Sequence, residues 1–110
     1  MKNNIERLLD RAEELGWSIT KKGDYQIGKF SPAGQDFSIY IEANDDPDLF
    51  VDNIYEKYEN FDVSEETYLW LDESGHGKNG APYDIMDLYN DMVECKKMIL
   101  ELHDELAILQ

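Results

Sequence analysis

The stretch Gly75-His76-Gly77-Lys78-Asn79-Gly80 has the G-x-G-x-x-G spacing with which dinucleotide-binding proteins bring backbone amides against a pyrophosphate. That chemistry needs a strand before the loop, a helix after it and a positive local field. A helix does follow, from about Pro82 or Asp84, but no clear strand precedes the loop and no βαβ unit follows it. Asp72 and Glu73 stand just before it and Asp84 just after, with Lys78 alone to offset them. These carboxylates oppose a phosphate. The loop therefore reads as an exposed, mobile helix-to-helix connector whose glycines supply turns, and such tips also serve as contacts for partner proteins. No cofactor is expected.

Other residues able to do chemistry are few. Cys95 falls on an apolar seam, which suits a small core residue better than a reactive thiolate. His76 lies in the loop and His103 on a helix surface flanking the seam, neither in triad or metal-ligand spacing. A single cysteine excludes a multi-cysteine zinc site. Asn44-Asp45-Asp46-Pro47-Asp48 lacks the glycine and the terminal glutamate of a calcium loop. Neither an enzyme nor a metal site is expected from these patterns.

Charge is the strongest signal. The 110 residues carry 25 acids and 10 bases, a formal net charge of -15. From Glu42 to Glu73 there are twelve acids and one base, Lys57. Such a field repels nucleic acid and anionic membranes and attracts basic protein surfaces. Solubility alone is the simpler purpose of the same acidity. No apolar run approaches the roughly 18 residues needed to cross a bilayer. MKNNIERLLDRAEELG is amphipathic and mixed in charge, unlike a secretory signal, and one cysteine suits a reducing compartment, so a cytoplasmic location is expected.

These residues need elements to position them. Ile5, Leu8, Leu9, Ala12 and Leu15 recur at helical spacing, with Asn3 or Asn4 to cap the start and Gly16 to end a helix over 4–15. Around the turns Lys22-Gly23-Asp24 and Ser31-Pro32-Ala33-Gly34-Gln35 the period changes to two, with Trp17 and Ile19, Tyr25 and Ile27, then Phe37, Ile39 and Ile41. Three such segments read as an antiparallel meander covered on one face by a helix. Asp45 and Asp46 before Pro47 start another helix, with Phe50, Ile54 and Tyr58 along one side and Val51 and Tyr55 beside them. Asp62 and Glu65 suggest a capping box for a short helix that would bury Tyr68, Trp70 or Leu71. Tyr68-Leu69-Trp70-Leu71 also fits a strand, with helix preferred.

The clearest pattern comes last. Ile85, Leu88, Met92, Cys95, Ile99, Leu102, Leu106 and Leu109 are spaced 3, 4, 3, 4, 3, 4 and 3 apart. This is a heptad seam on a helix about 37 Å long. It is too long to be covered by a small meander, so part should pack on another helix, either residues 5–15 or a second copy of the chain. The expected fold is one α+β domain, residues 1–110: an N-terminal helix, a three-stranded antiparallel meander, then helices ending in a long C-terminal amphipathic helix. The tyrosines, Tyr25, Tyr40, Tyr55, Tyr58, Tyr68, Tyr83 and Tyr89, exceed what this core needs. They suit partner contacts, although a half-buried ring with its hydroxyl outward is the preferred reading for any one of them.

Three segments carry a resemblance. They are Phe30-Ser31-Pro32-Ala33-Gly34-Gln35-Asp36-Phe37, then Tyr58-Glu59-Asn60-Phe61-Asp62-Val63 leading to Trp70, and Gly80-Ala81-Pro82 before an acidic amphipathic helix. In this order, over residues 17 to about 107, they resemble small acidic proteins of Firmicutes phages and conjugative elements. The resemblance carries no catalytic motif, so no functional residue transfers with it. It implies a context in which short acidic cytosolic proteins often interfere with host defence, anti-CRISPR proteins among them. Two functions are expected on this basis. The first is a non-enzymatic inhibitor that acts as an acidic DNA mimic, binding the basic nucleic-acid groove of a defence nuclease such as a CRISPR effector. Asp45, Asp46, Asp48, Asp52, Glu56 and Glu59 are its leading contacts, extended by Asp62, Glu65 and Glu66. The alternative is a structural or adaptor module that pairs with itself as a homodimer, or with a host protein, through Met92, Cys95, Ile99, Leu102 and Leu106. In that case Leu102→Asp or Ile99→Asp would abolish association and leave a folded monomer.

Overall fold

The computed structural model describes residues 4–78 and 80–109. Helix α1 spans Asn4–Glu14. Of its two candidate caps, Asn3 lies outside the described residues and Asn4 is the first helical residue. Ile5, Leu8 and Ala12 form its buried face. Gly16 ends the turn with φ 100°, a conformation that costs glycine little, and Trp17 N–H donates back to the Ala12 carbonyl at 3.0 Å.

Strands β1 (Ser18–Lys22), β2 (Asp24–Phe30) and β3 (Asp36–Ile41) form the expected antiparallel meander in the order β1-β2-β3. The register pairs Ile19 with Ile27 and Ile27 with Ile39, placing these three isoleucines on one face, while Phe30 and Tyr40 lie on the other and are exposed. Edge-to-face ring contacts extend that face: Trp17 on Phe37 at 6.5 Å, Phe37 on Phe61 at 5.9 Å and Tyr25 on Phe50 at 5.7 Å.

Helix α2 (Pro47–Glu59) begins as the sequence suggests, with Pro47 at its start. The Asp46 carboxylate accepts from Asp48 N at 3.0 Å and from Leu49 N at 3.4 Å. Phe50, Val51 and Ile54 are buried. Helix α3 (Val63–Leu69) is capped by Asp62, which accepts from Glu65 N at 3.1 Å. Its inward side differs from expectation. Thr67 is its buried residue, Trp70 and Leu71 are half-buried beyond the helix, and Tyr68 is 75% exposed. The helix stops at Leu69, and Leu71 enters an isolated antiparallel bridge with Gly77, so the segment is first helix and then extended.

Helix α4 (Ile85–Ala107) runs 23 residues, about 34 Å. Its seam is covered within the same chain. Leu88, Met92, Cys95, Ile99, Leu102 and Leu106 are each at most 3% exposed, against α2, α3 and α1 of the same chain. Only the ends, Ile85 and Leu109, reach solvent among the seam residues. The N-terminal helix, the intramolecular candidate for part of the cover, supplies less of it than α2 or α3 and is tied to α4 by Arg11–Glu105 at 2.7 Å. Met92, Cys95, Ile99, Leu102 and Leu106 are core, and a second copy could reach them only by displacing α2 or α3.

Candidate protein-binding surface

The nine acids singled out from the sequence are not equivalent. Asp48, Asp52, Glu56 and Glu59 follow one another at i, i+4, i+8 and i+11 on α2, all exposed, on the side away from Phe50 and Ile54. They span about 16 Å of helix axis, one charge per about 5 Å, against about 3.4 Å along one strand of DNA. The row is thus sparser than a nucleic-acid strand by itself. Lys57 lies on a different flank of the helix and does not interrupt it. Asp45 is exposed just before α2, while Asp46 and Asp62 serve as helix caps. Glu65 is exposed. Glu66 is half-buried, and its carboxyl is held above the usual range by desolvation, then by the charges of Glu65 and Asp62. Half-buried, Glu66 presents less of its carboxylate to a partner and stands apart from the rest.

Charge is also divided along the chain. Residues 1–30 carry six bases and five acids, whereas residues 31–110 carry four bases and twenty acids. The negative field therefore belongs to β3 and the helical part, with the first hairpin nearly neutral.

The glycine loop is more ordered than a slack connector. Asp72 N donates to His76 O at 2.7 Å, Lys78 N to Trp70 O at 3.0 Å and Gly77 N to Tyr83 O at 3.1 Å. Three short segments, 70–72, 76–78 and 82–83, thus lie side by side as a small platform. The Asp72 carboxylate accepts from Ser74 Oγ at 2.6 Å and from Ser74 N at 2.9 Å. These bonds, first the Ser74 hydroxyl and then the His76 amide, hold its pKa below the ordinary value. Gly75 and Gly80 take φ 83° and 85°, and Gly77 is pressed against its neighbour: a Cβ there would lie 1.9 Å from the Pro82 carbonyl oxygen. Each glycine of the motif has a local reason unrelated to phosphate. Gly77→Ala is expected to cost about 1–3 kcal/mol, because backbone rather than a flexible side chain must move. Hydrogen exchange should show the protection of Gly77 and Lys78 amides lost while α4 stays protected.

Cys95 is wholly buried, and desolvation, followed by the charges of Asp91, Glu66 and Glu94, pushes its thiol up to about 12. It remains a neutral thiol at pH 7. His76 stacks on Tyr83 at 3.9 Å with rings 12° apart, and His103 lies 4.9 Å from Tyr55. Of the tyrosines, Tyr25 is buried and Tyr58 half-buried, whereas Tyr40, Tyr68 and Tyr83 are more than half exposed. Among the described residues no three His, Cys, Asp or Glu side chains gather closely enough to hold a metal. No helix among them is long and apolar enough to cross a membrane.

One carboxylate escaped the sequence reading. Asp91 is 4% exposed and accepts from Ser31 Oγ at 2.6 Å, from Ala33 N at 3.0 Å and from the Gln35 side-chain amide. It binds the loop between β2 and β3 to α4. The Ser31–Gln35 segment that carried the resemblance is therefore a structural clasp, with Gln35 N also donating to Ser31 Oγ at 3.0 Å. A signal was present: Asp91 falls three residues after Leu88 and four before Cys95, on the apolar face of α4.

Comparison with protein-family models, with curated proteins and with solved structures gave no match to this chain.

Proposed function

We propose that this protein is a cytoplasmic, non-enzymatic inhibitor that binds a basic nucleic-acid groove on a defence nuclease, its carboxylates standing where phosphates would lie. The observation that carries the reading is the row Asp48, Asp52, Glu56 and Glu59, exposed on the solvent side of a helix whose other side is core. Asp45, Asp46, Asp62 and Glu65 near the helix ends raise a charge density that the row alone leaves below that of one DNA strand. A CRISPR effector is the partner class that the mobile-element resemblance suggests.

The test uses a guide-loaded Cas9-type nuclease, the intact chain, and the variant Asp52→Lys/Glu56→Lys/Glu59→Lys. All three positions are exposed, so the variant should keep the native melting transition. The native chain is expected to bind at about 50 mM salt and to be displaced by duplex DNA, and the variant to bind on the order of tenfold more weakly or worse. No binding at low salt, no competition by DNA, or equal binding by the variant would each overturn the proposal.

A further inference from the structure

Among the described residues, exposed large hydrophobics concentrate toward the N-terminal end of α4. Six of the twelve large hydrophobics exposed among the described residues fall between Tyr68 and Tyr89, a fifth of the chain, so they are not scattered as ordinary surface apolar groups are. Tyr68 is 75% exposed, Tyr83 69%, Met86 61% and Leu69 58%. Tyr68 and Leu69 come just before the platform formed by residues 70–72, 76–78 and 82–83, Tyr83 belongs to it, and Met86 follows in the first turn of α4. Tyr68, Leu69 and Leu71 line a shallow depression on the platform together with Asp72, Glu73 and Lys78. Beyond Gly80 and Pro82 the surface continues into a second shallow groove, floored by Val93 and flanked by Pro32, Asp87 and Glu94.

Two features make this a prepared surface. Backbone hydrogen bonds fix the platform, and the His76 ring holds the exposed Tyr83 ring in place by stacking. An aromatic held in position without being buried loses little freedom on contact, which favours binding. Met86 adds an adaptable apolar group. Carboxylates outnumber bases here, with Asp72, Glu73, Asp84, Asp87 and Glu94 against Lys78 and Lys97.

We infer that this end of the molecule docks a cationic amphipathic protein segment, apolar residues seated on Tyr83, Met86 and Leu69 and lysines or arginines facing these carboxylates. Charge decides among occupants. A second copy would bring another chain of net charge -15 against the same carboxylates, and an anionic membrane or nucleic acid would meet the same repulsion. The surface is separate from the acid row on α2, and the inference holds whether or not that row binds a nuclease groove.

The test is a titration of the 15N-labelled full chain, followed by amide chemical shifts at about 150 mM salt, where purely long-range attraction is screened. The probe is a synthetic helical peptide with leucines on one face and lysines on the other. The controls are a lysine homopolymer of equal length and a peptide of the same leucine pattern with glutamates. Expected are shifts confined to residues 68–94 with the leucine–lysine peptide, at least fivefold weaker binding by Tyr83→Ser/Met86→Ser, and no such shifts with either control. Asp52→Lys/Glu56→Lys/Glu59→Lys should bind the peptide within twofold of the native chain, which separates this site from α2. Absent or dispersed shifts, equal binding of either control, an unaffected serine variant, or self-association of the free chain through these residues would overturn the inference.

Discussion

Leu102→Asp is expected to abolish cooperative folding. The side chain is fully buried on the α4 seam, which α2, α3 and α1 cover. Removing the leucine alone should cost about 2–5 kcal/mol through lost burial and the cavity left behind. An ionised carboxylate with no partner adds several kcal/mol more, whereas domains of this size hold about 5–15 kcal/mol in total. Circular dichroism on heating should show a sigmoidal transition for the native chain and none for Leu102→Asp. Leu102→Ala should melt cooperatively but earlier, which separates loss of packing from an expression artefact. A folded Leu102→Asp chain that had merely lost a partner would instead restore the reading of the seam as an interface.

Asp91→Ala is the second large effect, expected to destabilise the chain by about 3 kcal/mol, since two buried side-chain donors lose their acceptor at once. Ser31 and Gln35 are 5% and 8% exposed, so water cannot fully replace the carboxylate without opening the loop. Asp91→Asn distinguishes charge from shape. It preserves volume but turns one acceptor into a donor, facing either the Ser31 hydroxyl and the Gln35 amide together or the Ala33 N–H, and should lose more than half of what alanine loses. The denaturant midpoint measures both. A change within about 0.5 kcal/mol for alanine, the range of an ordinary surface substitution, would show that the clasp contributes nothing to stability.

The elements were legible because their signals are local. Period-two residues on both sides of Gly23 and Gly34 gave the meander, and Asp46-Pro47 gave the start of α2. What covers each apolar face is not local. The heptad seam of α4 says that one side is buried, and only the fold says that α2 and α3, not a second chain, bury it. The capping pattern at Asp62 points to Tyr68, Trp70 or Leu71 as the inward residue, but Thr67 is the buried residue of α3, Tyr68 faces out, and Trp70 and Leu71 are half-buried beyond the helix end. The order of the glycine loop was hidden for a related reason: its bonds join residues 70–72, 76–78 and 82–83 through backbone groups that carry no side-chain signature. Among the proposed contact acids, spacing alone was enough to align Asp48, Asp52, Glu56 and Glu59. It could not show that Asp46 and Asp62 cap helices or that Glu66 is half-buried.

The charge division of the chain gives the central claim its most direct measurement, the salt dependence of affinity for a guide-loaded Cas9-type nuclease. If carboxylates on α2 occupy a groove built for phosphate, log K should fall linearly as log salt rises from about 50 to 200 mM. The slope should be shallower for Asp52→Lys/Glu56→Lys/Glu59→Lys than for the native chain. Affinity that stays flat across that range, or a slope unchanged by removing those three carboxylates, would contradict the account.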